Sequence, residues 1–150
     1  MGALFAFLHH VAAFTLVAAV AVEFVLARGE LTAANARRMI AADTVLGASA
    51  GALLVIGLLR VYFFEKGAAY YFASAPFLVK FALFVALAVM SVYPTREFLS
   101  WRAALRVGQA PAVEARKLAA VRRVLHIELA GIVLILLCAA LMARGVGIVA

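Results

Sequence analysis

Four apolar runs, over residues 3–27, 41–64, 75–95 and 123–143, constrain this chain more than any motif in it. Each holds about 20 residues or more, which as helix at 1.5 Å per residue crosses a hydrocarbon core about 30 Å thick. Backbone amides have no water to bond inside a bilayer, so spans of this kind fold as helices. The balance of residues agrees: 69% are hydrophobic and 14% charged, against roughly 25% charged in a soluble domain. The expected fold class is all-α, an integral membrane four-helix bundle occupying residues 1–150 as a single domain. The third and fourth helices are expected to extend into the cytoplasm. No basic segment precedes the first run, so it reads as a retained span rather than a cleaved leader. Cys138 is the only cysteine, which excludes a disulfide framework and any cysteine-based metal motif.

The formal charge of +7 is distributed as topology rather than as a nucleic-acid surface. Arg28, Arg37 and Arg38 lie between the first two spans. Arg96, Arg102, Arg106, Arg116, Lys117, Arg122 and Arg123 lie between the last two, and Arg60, Lys66 and Arg144 fall on the other side. The positive-inside bias puts both basic connections in the cytoplasm and both termini outside it, in a bacterial inner (cytoplasmic) membrane. Residues 96–123 have helical periodicity on both sides of a turn over residues 108–111, with Trp101 expected near the interface and the arginines placed to meet anionic lipids. Thr32 and Asn35 are plausible caps in the first connection. Tyr70 and Tyr71 suit a headgroup-level belt in the second. Gly47 and Gly51 form a G-x-x-x-G pair that would let another backbone approach closely, and the residues after Arg144 read as a frayed tail.

With direction assigned, the polar residues inside the spans fall into two layers. The outer layer holds His9 and His10 from the first span, Arg60 from the second and Lys80 from the third. The inner layer holds Glu23, Asp43, His126 and Glu128, with Arg122 and Arg123 at its edge. His9 and Glu23 are two heptads apart on one face and about 20 Å apart along the helix, so the layers are separate sites. The outer layer, rich in cations with Glu65 the one nearby carboxylate, favours an anionic ligand. Arg60 and Lys80 would engage carboxylates or phosphates, and a neutral histidine would ligate a metal or haem iron. The plainer reading has both cations snorkelling to headgroups. Which histidine faces inward is open. In the inner layer, Arg122, Arg123 or His126 would neutralise Glu23 and Asp43 as structural ion pairs, or the carboxyls form a proton path. His126 and Glu128 point about 200° apart, so only one can face the interior squarely.

There is no H-E-x-x-H, Walker loop, G-x-S-x-G or C-x-x-C. Two functions from different classes stand: a haem- or porphyrin-binding and redox-active protein, or an accessory or assembly subunit packed on a larger membrane complex or on a second copy of itself. A transporter has less support, since no internal repeat is visible.

The run LLRVYFFEKGAAYYFASAPFLVKFALFVALAVMSVYPTREFLSW, residues 58–101, resembles the signature region of a family of small predicted bacterial membrane proteins catalogued as a domain of unknown function. That resemblance implies four spans and no activity. More distantly, Leu8-His9 at the start of the first span and Lys80 early in a span that reaches Tyr93 are similar to the layout of the haem-binding J-form protoporphyrinogen IX oxidases. The resemblance implies haem b as cofactor, with His9 on the iron and Lys80 as a functional residue. The tryptophan two turns after the histidine and the P-R-L-F run of that family are missing here, so what it implies is a haem or porphyrin pocket rather than the oxidase.

Overall fold

Every apolar run is helical in the computed structural model, which describes residues 1–147. Helix α1 spans Gly2–Arg28 and α2 spans Ala33–Leu59, joined by a tight connection. The start of α2 is fixed by Thr32, whose side-chain oxygen accepts the Asn35 amide at 3.1 Å, satisfying one of the donors that a helix start leaves free. The alanine- and arginine-rich segment after it is strongly helix-forming, so α2 begins at Ala33 rather than near Ala41. At its other end α2 runs on into a π-helical turn, Arg60–Phe64.

The second connection holds a short helix, α3 (Ala68–Phe72), entered through Gly67 at φ 87°. Helix α4 (Ala75–Ser100) carries Pro76 in its first turn, where no amide donor is required. It continues through the fully buried Pro94, whose ring removes the donor that the Met90 carbonyl would otherwise receive. After Trp101 come α5 (Arg102–Arg106), an extended segment and α6 (Ala115–Ala143). Both α4 and α6 thus run past the apolar stretches that define their spans. The tail after Arg144 is turned as far as Gly147, whose carbonyl accepts the Ala75 amide at 3.0 Å; residues 148–150 lie outside the described part.

Helices α1, α2, α4 and α6 form a closed ring in that order, each packed on the next. All four are long and apolar enough to cross a membrane, with mean hydropathy between 1.9 and 2.5. Their outward faces carry exposed Phe14, Val25, Val55, Val89 and Val133, the composition expected where hydrocarbon replaces water as solvent. The two basic connections lie at one end of the ring, around a core of Ala27, Ala36, Met39, Phe98, Trp101, Leu105, Val121 and Leu125. Trp101 belongs to that core at 3% exposure. The π-helical turn, α3 and the chain's first residues occupy the opposite end, where Phe5 stacks on Phe64 at 4.3 Å between centroids.

Close helix approach occurs at glycines other than the expected pair. A side chain at Gly131 would meet Leu87 at 2.7 Å, whereas Gly47 and Gly51 face open space. The G-x-x-x-G pair therefore makes no close contact among the described residues.

Candidate functional site

At the end with the π-helical turn, α1 turns His9 inward and leaves His10 exposed. His10 Nδ1 bonds the Ala6 carbonyl at 2.7 Å, a contact within its own helix. His9 lies against α2 where Gly57 has no side chain: a Cβ there would come within 3.5 Å of His9 Cε1 and 3.9 Å of Nδ1. Among the described residues Nδ1 is buried without a hydrogen-bond partner. Arg60 and Lys80 are both within charge–charge range of His9, and of each other. Lys80 sits over the Phe77 ring at 5.8 Å, with Cys138 of α6 in the same neighbourhood. His9, Arg60 and Lys80 are therefore brought together, while His10, also within charge range of His9, is exposed and bonded within its own helix.

Arg60 is already engaged. Its guanidinium pairs with Glu65 at 2.6 Å, and Tyr71 donates its hydroxyl to the second Glu65 oxygen at 3.4 Å. Burial, followed by the charge of Glu65, raises the Tyr71 phenol above its usual range. A five-residue separation does not align two side chains on an α-helix. The wider π-helical turn and the extended backbone at Glu65 bring them together.

The end with the basic connections has the opposite surplus. Glu23 is 0% exposed, Glu128 3% and Asp43 8%. These three carboxyls, from α1, α6 and α2, are within charge–charge range of one another. The fourth helix supplies hydroxyls one turn apart: Ser91 donates to Glu128 Oε1, and Thr95 donates to Asp43 Oδ1 at 2.7 Å. Among the described residues neither oxygen of Glu23 has a hydrogen-bond partner, nor does Glu128 Oε2.

The cations expected to neutralise this layer point elsewhere. Arg122 Nε donates to the Ala27 carbonyl at 2.6 Å, meeting one of the free acceptors at the end of α1. His126 is exposed, packs edge-on against Phe24 with centroids 4.6 Å apart and bonds the Arg122 carbonyl through Nδ1 at 2.7 Å. Its Nε2 accepts from Arg28 at 3.4 Å. Arg123 is exposed and makes no ion pair among the described residues. Arg102 is the basic residue within charge range of Asp43. Of the pair His126 and Glu128, it is Glu128 that faces the interior. Among the described residues no three His, Cys, Asp or Glu side chains converge closely enough to hold a metal ion.

The residues that sequence reasoning did not join to this layer are Ser91 and Thr95. Their spacing of four was visible, and it places both on one face of α4. A family model described as "Predicted membrane protein (DUF2214)" matches residues 1–147. No curated protein and no solved structure matches the chain.

Proposed function

The chain belongs to the DUF2214 family of predicted membrane proteins, a description that gives a location and no reaction, and from its geometry we propose that it is a proton-handling membrane bundle. The site is the carboxyl cluster Glu23, Asp43 and Glu128. One observation carries the reading: Glu23 is fully buried with both oxygens unpartnered, beside two further buried carboxyls. Three simultaneous carboxylates in the bundle interior, with Arg102 in charge range of Asp43 alone, would be far costlier than a cluster holding a proton. Ionisable groups at such depth commonly mark proton relays. Ser91 and Thr95 can bond either form of the carboxyls, because a hydroxyl both donates and accepts.

A hydrophobic carbodiimide, which reacts with protonated carboxyls in apolar surroundings, tests this. The expected result is modification at Glu23, Asp43 or Glu128, located by peptide mass spectrometry and lost when those residues become amides. Labelling confined to Glu30, Glu97 or Glu114 would contradict it. The bundle is oriented, on this proposal, with both basic connections in the cytoplasm, both termini outside and residues 96–123 against anionic lipids, as the charge bias supports.

A second reading is favoured by His9, whose ring faces inward with a buried, unpartnered nitrogen near Lys80. His9 would hold the iron of haem b and Lys80 a propionate; Arg60, paired with Glu65, and His10, turned outward, would stay out of the site. Haem would supply one-electron redox chemistry there. Protein purified from haem-replete cells should then show a Soret band that His9→Ala abolishes. Protein with no Soret band under those conditions would count against haem and leave the accessory-subunit role as the alternative to proton handling.

A further inference from the structure

At the basic end, the start of α2 and the short helix α5 enclose an open groove of about 360 Å³, lined by Arg37, Ile40, Arg102, Leu105 and Arg106. Three guanidiniums border it and, among the described residues, no carboxylate does. Arg37 is held in place by a bond from its guanidinium to the Leu105 carbonyl at 2.5 Å, which ties α2 to α5 and leaves its other N–H groups free. The guanidiniums of Arg102 and Arg106 make no hydrogen bond or ion pair with any described residue. The acid within charge range of Arg102, Asp43, is bonded to Thr95. The remaining lining, Ile40 and the buried Leu105, is apolar.

We propose that this groove is a specific site for an anionic phospholipid, whose phosphate is held by Arg37, Arg102 and Arg106. Planar guanidiniums grip phosphate oxygens in pairs, which a diffuse basic surface does not do. The position argues for a lipid. The groove opens where the apolar part of α2 begins, so a phosphate seated there leaves its acyl chains along the exposed apolar faces of the bundle. The preorganised Arg37 and the two unengaged arginines form the headgroup clamp. The clamp rests on the reading that this end of the bundle meets anionic lipids and does not depend on the carboxyl cluster.

Native mass spectrometry of the full chain in detergent, titrated with phosphatidylglycerol and separately with phosphatidylcholine, tests the site. The expected result is a one-lipid adduct with phosphatidylglycerol only. Arg102→Gln and Arg106→Gln should each weaken it about fivefold, and the charge-matched pair Arg116→Gln with Lys117→Gln should leave it unchanged. Equal losses in both pairs, or equal binding of phosphatidylcholine, would overturn the site. Displacement of the adduct by inorganic phosphate at lipid-like concentrations would overturn the lipid and leave a free-anion site. Reporter fusions placing Gly108 outside the cytoplasm would remove the broader orientation while the adduct measurement still decided the clamp.

Discussion

The two ends of the bundle handle charge in opposite ways. Near the π-helical turn the polar groups are cations with long stems, and a local pair, Arg60 with Glu65, absorbs the one charge that most needs a partner. Lys80 can lie over Phe77 and extend toward headgroups. At the basic end the groups facing inward are carboxyls on short stems, drawn from three helices and unable to snorkel. The arginines that could have met them bond backbone carbonyls instead, Arg122 to Ala27 and Arg37 to Leu105. An interior carboxyl therefore depends on what the other helices present to it, and α4 presents only Ser91 and Thr95. This contrast makes the carboxyl layer the better functional candidate.

Packing differs in the same sense, and the largest expected effect tests it. Phe98 is fully buried in the core under the basic connections, whereas Phe63 at the opposite end is 73% exposed. Phe98→Ala should cost about 3–5 kcal/mol, and Phe63→Ala within about 0.5 kcal/mol, by thermal unfolding in detergent. Comparable losses would erase the distinction between the ends.

The next effect has the opposite sign. An unsatisfied buried polar group costs about 1–3 kcal/mol, so Glu23→Leu should stabilise the bundle by an amount in that range while removing the proposed proton site. A loss of stability would mean that Glu23 has a structural partner. Removing the hydroxyl in Ser91→Ala should cost about 1.5–3 kcal/mol if the Glu128 carboxyl is charged and nearer 1 kcal/mol if it is not. Smaller than either is Arg60→Ala, where a partly exposed ion pair is worth about 0–1 kcal/mol.

The four helices were legible because apolar length is a one-dimensional signal, and the opposed directions of His126 and Glu128 followed from helical spacing alone. The early start of α2 could also be read, from Thr32 as a cap followed by helix formers. The Arg60–Glu65 pair was hidden by its spacing, which is wrong for an α-helix and right only once the π-helical turn is known. Arg122 was one of three cations, with Arg123 and His126, expected to neutralise a carboxyl, yet it meets the Ala27 carbonyl, because a helix end offers acceptors that a side-chain inventory does not count. The links from Asp43 to Thr95 and from Ser91 to Glu128 depend on how each helix is rotated about its axis within the ring. Spacing along one helix does not contain that rotation.

Infrared difference spectroscopy of the protein in lipid nanodiscs tests the carboxyl layer most directly. The account predicts a carboxylic-acid carbonyl absorption at neutral pH that shifts in deuterated water and is lost or diminished in Glu23→Gln. Absence of such a band, or a band unchanged by Glu23→Gln, Asp43→Asn and Glu128→Gln alike, would contradict it.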